Sequence, residues 1–188
     1  GANEKKDWSM YDDKISFTSD GKVTYNPTDG KLYVNKGSNI QPEKKTEDAD
    51  YLVDIGVKDG TYTVEGRWND AGIEEIHLIV KGAPLSYAAA ASDLVEADYL
   101  VLESKPAEIK KCLKLAIKEV TKDNPDGIVW HKEFVKEGSN SASEEPDPLF
   151  GKTSKTWVID LEAVGHLACG PNQDNPAGWW SAAAGDKS

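Results

Sequence analysis

Short runs in which apolar and polar residues alternate dominate the first part of the chain. Three of them, at residues 15–18, 22–25 and 31–34, are separated by the dipeptides Asp20-Gly21 and Asp29-Gly30. Alternation with a period of two is typical of a half-buried β-strand, and an Asp-Gly dipeptide between two such runs favours a tight hairpin turn. The pattern therefore predicts consecutive β-hairpins at the start of the domain.

Similar β-prone runs continue along the rest of the chain. They lie at residues 51–57, 61–67, 75–80, 99–103, 128–135 and 155–159. Each run is bounded by Gly, Asp, Asn or Pro, so the connections are short. Strands of this spacing predict an all-β fold, namely an antiparallel meander that closes as a barrel. A β-sandwich or jelly roll is the alternative.

Three segments depart from this pattern. Residues 106–120 fit a helical stripe, yet Leu113, Leu115 and Ile117 also alternate with lysines as in a strand. Residues 138–148 are rich in Ser, Glu and Pro, a composition typical of a solvated linker. Residues 165–180 contain three Gly and two Pro, which predicts a long loop.

Charge and length narrow the possible partners. The chain has 188 residues, 33 acidic against 22 basic side chains and a net charge of −11, so a phosphate backbone or an anionic lipid surface would be repelled. The apolar run around residues 88–91 is far shorter than the roughly 20 residues of a membrane span. We therefore expect no nucleic-acid partner, no membrane span, a soluble monomer, and a mature sequence whose signal peptide has been removed.

The sequence contains few residues in patterns typical of metal, cofactor or catalytic sites. Cys112 and Cys169 could form a disulfide or could be two buried apolar residues, and neither forms a metal-ligand pattern with the histidines. No nucleotide-binding or hydrolase motif is present in the sequence. We expect no metal, no cofactor and no catalytic residue. The enzymatic alternative is a glycoside hydrolase that uses Asp160 and Glu162, which share one face of a strand.

Three longer motifs resemble those of a known protein family. They are KTWVIDLEAVGHLACGPNQDNPAGWW at 155–180, WSMYDDKISFTSDGKVTYNP at 8–27 and GIVWHKEFV at 127–135. Together they resemble a small β module of surface lipoproteins of Bacteroidetes-type bacteria, often found beside glycoside hydrolase domains in polysaccharide-utilisation systems. The resemblance implies a lipocalin-like barrel in which residues 110–120 form a strand. It also implies an extracytoplasmic location, as an outer-membrane or cell-surface lipoprotein or in the periplasm.

The order of these motifs is rearranged relative to the family. The family order is recovered when residues 149–188 are read first and residues 1–137 second. We therefore expect these two segments to form one domain, with 138–148 as a linker or the true outer terminus, and with Gly1 and Ser188 close together. A circular permutant, a numbering wrap and a truncated repeat all remain open.

The family and the composition of one loop together suggest a role. A sugar ring stacks on an indole through its apolar face while its hydroxyl groups need polar partners. The segment around 165–180 supplies both kinds of group, and its candidate carbohydrate-binding residues are Trp179, Trp180, His166, Asn172, Gln173 and Asp174. Since consecutive residues of a strand face opposite ways, one of the two tryptophans is expected to be buried and the other exposed. The sequence thus predicts a non-catalytic module that binds a polysaccharide or oligosaccharide, or alternatively a structural module without a ligand.

Overall fold

The strands were located in a computed structural model, which describes residues 10, 12–45, 49–102, 112–119, 126–137, 154–159, 167–170 and 180–181. The strands are β1 Lys14–Thr18, β2 Lys22–Asn26, β3 Lys31–Val34, β4 Tyr51–Asp54, β5 Lys58–Trp68, β6 Glu74–Lys81, β7 Glu96–Val101, β8 Cys112–Glu119, β9 Ile128–Lys136, β10 Ser154–Ile159, β11 Leu167–Gly170 and β12 Trp180–Ser181. Two short 3₁₀ turns lie at Pro42–Lys44 and Ala91–Leu94, and no α-helix occurs among the described residues. The predicted all-β fold class is confirmed.

Eight of the strands close into an antiparallel barrel in the order β1-β2-β5-β6-β7-β8-β9-β10. Strand β10 completes the ring, because it pairs with β1 on one side and with the second half of β9 on the other. The first half of β9 pairs instead with β11, which pairs in turn with β12. The barrel prediction is therefore confirmed over the sandwich, and the architecture is consistent with a lipocalin-like barrel.

Aromatic side chains fill the interior of the barrel. Phe17, Tyr25, Tyr99 and Trp157 are fully buried, and the rings of Phe17 and Tyr62 meet edge to face with centroids 5.0 Å apart. Burial of each large apolar side chain stabilises the fold by about 1.5 to 3 kcal/mol. The positions that alternate inward along the strands thus form a packed core.

Two segments outside the barrel sheet lie side by side. The β3–β4 hairpin forms a separate two-stranded sheet, and residues 83–90, which we call the plug segment, run alongside β3. Backbone bonds of 2.8 Å from the Asn35 N–H to the Ala88 carbonyl and 2.9 Å from the Ala88 N–H to the Tyr33 carbonyl join the two. Leu85 and Leu32 are fully buried, so both segments add to the core.

The first hairpin prediction is confirmed and the second is wrong. Strands β1 and β2 pair around Asp20-Gly21, where Gly21 has a φ of 81° that suits glycine. At Asp29-Gly30 a turn also forms, since the Gly30 N–H donates to the Pro27 carbonyl over 3.0 Å. However, β2 pairs with β5 and β3 pairs with β4. After this turn the chain leaves the barrel sheet, and β3 does not pair with β2.

The structure also tests the segment that fits either a helix or a strand and the predicted long loop. Residues Cys112–Glu119 form strand β8, which pairs with both β7 and β9, so the strand interpretation is confirmed over the helix. The predicted long loop at 165–180 is wrong in part, because Leu167–Gly170 is strand β11. The residues of β11 pair with β9, and the Gly and Pro content of the segment does not predict this pairing.

The predicted domain organisation stays a prediction. Residues 138–148, Gly1 and Ser188 lie outside the described residues. Within the part of the chain that is described, no helix has the length and apolar character needed to cross a membrane.

Candidate functional site

The residues predicted from the sequence as carbohydrate contacts fall largely outside the described structure. This holds for His166, Asn172, Gln173, Asp174 and Trp179, and for the side chain of Trp180. It also holds for Asp160 and Glu162 of the enzymatic alternative. The backbone of Trp180 lies on β12 opposite Cys169, which places this strand in the same sheet as β9. The expected difference in burial between the two tryptophans stays a prediction.

A half-open groove lies on the outer face of the barrel, across four neighbouring strands. Its volume is about 300 Å³. We call it the outer groove, and it is lined by Glu75 and His77 of β6, Asp98 and Leu100 of β7, Ala116 and Lys118 of β8, and Val129 of β9. The strand register explains this grouping, because His77, Leu100 and Ala116 lie directly opposite one another on successive strands.

A histidine–aspartate pair forms one wall of the outer groove. His77 Nδ1 lies 2.7 Å from Asp98 Oδ1, and the Arg67 guanidinium donates to the other carboxylate oxygen of Asp98 over 2.5 Å. Arg67 also bonds to Glu65 on its own strand over 3.0 Å. The Asp98 carboxylate is therefore fixed from two sides, and it holds the imidazole of His77 in one orientation.

A second carboxylate is fixed beside the same imidazole. His77 Nε2 lies 3.7 Å from Glu75 Oε2, and the side-chain amide of Asn69 donates to Glu75 Oε1 over 2.8 Å. His77 is thus flanked by carboxylates on both ring nitrogens. Such an arrangement offers several hydrogen-bond acceptors at fixed positions along one wall.

The floor of the outer groove is apolar. Ala116 and Val129 are buried and Leu100 is partly buried, whereas Lys118 is exposed at the rim. An apolar floor beneath a rim of carboxylates, an imidazole and an ammonium group suits a ligand that has both an apolar face and hydroxyl groups.

A second polar cluster lies inside the barrel. Lys132 is 1% exposed, and its ammonium group donates to the carbonyls of Leu85 and Tyr87 over 2.9 and 2.7 Å. Burial lowers the pKa of Lys132 from its ordinary value. The two carbonyls flank Ser86, whose φ of 64° lies in the left-handed region. This cluster fastens the plug segment to β9, so we assign it a structural role.

The Lys132 cluster extends to Asp93, in the 3₁₀ turn that follows the plug segment. The Tyr99 hydroxyl lies 3.5 Å from Lys132 Nζ and donates to Asp93 Oδ1 over 2.9 Å. The other oxygen of Asp93 accepts the N–H groups of Ala89 and Ala90 over 2.8 and 3.0 Å. The Lys132 ammonium, the Tyr99 hydroxyl and the Asp93 carboxylate all have hydrogen-bond partners, whereas the buried Ser86 hydroxyl has none.

A third polar pair is buried near the start of β1. The Tyr25 hydroxyl donates to Asp13 Oδ2, and the Thr28 N–H donates to Asp13 Oδ1 over 3.2 Å. Burial is the main cause that raises the pKa of Asp13 to about 7. Asp13 is 3% exposed, so this carboxyl group is part of the protein interior.

The comparisons with known proteins add no assignment. No protein-family model, curated protein or solved structure matches the chain. Among the described residues, no group of three or more His, Cys, Asp or Glu side chains could hold a metal ion. Function is therefore inferred from the outer groove itself and from the sequence motifs.

Sequence reasoning did not select the residues of the outer groove. Glu75 and His77 belong to the β-prone run at 75–80, and Asp98 directly precedes the run at 99–103. Their outward positions follow from alternation, because the neighbouring Leu78 and Tyr99 are inward and buried. Only the pairing register of β6 with β7 shows that His77 and Asp98 meet.

Proposed function

We propose that this domain is a non-catalytic glycan-binding or accessory module whose ligand is a polysaccharide or oligosaccharide. The observation that carries the proposal is the outer groove, in which an apolar floor lies beneath fixed carboxylates and an imidazole. A sugar presents an apolar C–H face and a ring of hydroxyl groups that donate and accept hydrogen bonds. The groove offers a matching surface of both kinds.

The charges of the groove favour a neutral glycan. Asp98 and Glu75 are held by Arg67 and Asn69, so their remaining lone pairs point to fixed positions. Carboxylates accept hydrogen bonds from sugar hydroxyls strongly, because one partner is charged. With a net charge of −11 on the whole chain, a polyanionic glycan would be repelled.

The proposed setting comes from the sequence motifs. The resemblance to modules of bacterial surface lipoproteins suggests an extracytoplasmic protein that works beside glycan-degrading enzymes. In this setting, a binding module would hold a polysaccharide near its enzymes. The Trp179–Trp180 pair stays a proposed second contact, since β12 belongs to the same sheet as the β9 edge of the groove.

Isothermal titration against a panel of plant and host polysaccharides tests the proposal. We expect binding by the wild-type chain, and at least about tenfold weaker binding by His77→Ala and Lys118→Ala, which corresponds to about 1.4 kcal/mol each. Lys114→Ala is the matched control, because Lys114 lies on the outer face of the same strand and does not line the groove. Its binding should equal that of the wild type.

Two results would count against glycan binding in the groove. Absence of binding to every panel member would favour a structural or protein-interaction module instead. Equal loss of binding in His77→Ala and Lys114→Ala would separate the activity from the groove. Release of reducing sugar from a bound polysaccharide would instead support the glycoside hydrolase alternative.

A protein-interaction module is the second candidate function. Val64, Trp68 and Ile73 of the β5–β6 hairpin are 54%, 73% and 61% exposed. Large apolar side chains grouped on one exposed hairpin are typical of a contact surface.

A further inference from the structure

Strand β5 is longer than the strand that pairs with it on one side. Strand β2 pairs with β5 only through residues 58–61, whereas β6 accompanies β5 on the other side as far as Trp68. Next to this ladder, the Tyr62 N–H donates a backbone hydrogen bond of 2.9 Å to the Gly21 carbonyl on the β2 side. Beyond it, residues 63–68 form a sheet edge with no partner strand among the described residues.

The backbone of this edge presents a regular row of hydrogen-bonding groups. The Tyr62 N–H points to the β2 side, so with a period of two the N–H and C=O groups of Val64, Gly66 and Trp68 point the same way. All three residues are exposed. Such an edge is a template for pairing with another strand.

The side chains of this edge are complementary to those of the same edge in a second copy of the chain. If two copies of β5 run antiparallel with Gly66 opposite the partner's Gly66, Glu65 lies opposite the partner's Arg67, and Val64 lies opposite the partner's Trp68. This follows from numbering alone, since antiparallel partners have a constant sum of positions. Opposite charges and an apolar pair that face each other across strands are favourable, whereas like charges are not.

We propose that two copies of this chain pair through the open edges of β5, antiparallel and with the two-fold axis at Gly66. The same edge on both copies then forms an isologous interface with six backbone hydrogen bonds, donated by Val64, Gly66 and Trp68 of each copy. Pairing also covers part of the exposed Val64 and Trp68 side chains. The sequence alone predicts a monomer, and the proposal does not depend on glycan binding.

Sedimentation velocity of the full chain over a range of concentrations tests this pairing. We expect reversible dimerisation in the wild type and, in Gly66→Pro, a dissociation constant at least about tenfold higher. Proline removes the N–H at the axis but keeps the β6 ladder, because the Gly66 N–H faces the open side. Val64→Lys should weaken the dimer similarly. Val95→Lys is the matched control, since Val95 is 71% exposed and its carbonyl bonds to Gly82, beyond the end of β6, whereas the open edge accompanies residues 74–79 of that strand.

A charge exchange tests the register. Glu65→Arg places two arginines opposite the partner's two arginines, and Arg67→Glu places two glutamates opposite the partner's two glutamates. Each variant alone should dimerise at least about tenfold more weakly than the wild type. An equimolar mixture should form a heterodimer, because every facing pair is then of opposite charge.

Three results would overturn the proposed dimer or its register. A wild type that stays monomeric at all concentrations overturns the proposal, and so does a dimer that survives both Gly66→Pro and Val64→Lys. A mixture of the charge variants that associates no better than either alone overturns the register. Circular dichroism of each variant shows that it is folded, and the mixing result stands even if the proline variant fails to fold.

Discussion

At the residue scale, burial changes the chemistry of Asp13. Its carboxyl group is 3% exposed and hydrogen-bonded to the Tyr25 hydroxyl and the Thr28 N–H. Those bonds lower its pKa, yet desolvation is the larger effect and raises the pKa from 3.8 to about 7. The folded protein therefore keeps this proton at pH values where the unfolded chain releases it.

The sign of the resulting pH dependence follows from linkage. Between the unfolded value of 3.8 and the folded value of about 7, the folded state binds more protons, so the free energy of unfolding falls as pH rises through this window. From about pH 5 to about pH 7 the wild type should lose about 2 kcal/mol through this group. Asp13→Asn should lose this contribution. Urea denaturation at both pH values measures the difference.

The matched control for Asp13→Asn is Asp12→Asn. Asp12 is the exposed neighbour, so its replacement should keep the wild-type slope because Asp13 remains. Parallel pH profiles for the wild type and Asp13→Asn would show that burial of Asp13 does not govern the dependence.

The residue scale is also where the sequence was least informative. Alternation predicts that His77 and Asp98 point outward, but it does not say that they lie 2.7 Å apart. Likewise Lys132 lies within the predicted strand run at 128–135, and nothing local shows that it is fully buried. Its partners Leu85 and Tyr87 are more than forty residues away in the chain. Such contacts depend on the register of several strands at once.

At the element scale, the close approach of β5 to the end of β6 depends on one glycine. A Cβ at Gly60 would lie 2.2 Å from the Lys81 carbonyl oxygen and 3.0 Å from the Ala83 nitrogen, both backbone atoms. A Cβ at Gly66, on the same strand, would lie 2.8 Å from Glu74 Oε1, the end of a flexible side chain. The same substitution therefore meets a rigid obstacle at one position and a movable one at the other.

We expect Gly60→Ala to lower the free energy of unfolding by about 2 to 3 kcal/mol, because the backbone of β6 must move. Gly66→Ala serves as the control and should change it by less than about 0.5 kcal/mol. Chemical denaturation of both variants measures the two values. Equal effects would mean that the close approach of Gly60 to Lys81 does not constrain the two strands.

Elements were predictable where the pattern is local. The Asp20-Gly21 hairpin follows from its turn residues and from alternation on both sides. Asp29-Gly30 shows the limit of that logic, because the turn forms but its flanking strands belong to different sheets. Residues Leu167–Gly170 form a strand because they pair with the first half of β9, and no local feature of the sequence predicts this pairing. Pairing between distant strands is the information that a single sequence lacks.

At the scale of the whole molecule, the C-terminal part of the chain completes a barrel that the N-terminal part begins. Strand β10 lies between β1 and β9, and its Trp157 is fully buried in the core. Leu167 of β11 is buried as well. A chain that ends before β10 would leave two sheet edges open and lose the largest side chain of the core.

We therefore expect the fragment 1–137 not to fold, since loss of a fully buried tryptophan side chain alone costs about 3 to 5 kcal/mol. A permuted chain that starts at residue 149, continues from residue 188 through a flexible linker to residue 1 and ends at residue 137 retains every strand. It should fold with nearly wild-type stability, because β10 keeps both neighbours and only its connection to β9 is cut. Far-ultraviolet circular dichroism and thermal melting compare the two with the wild type. A folded fragment would show that β10 is dispensable, and an unfolded permutant would contradict the proposed family order.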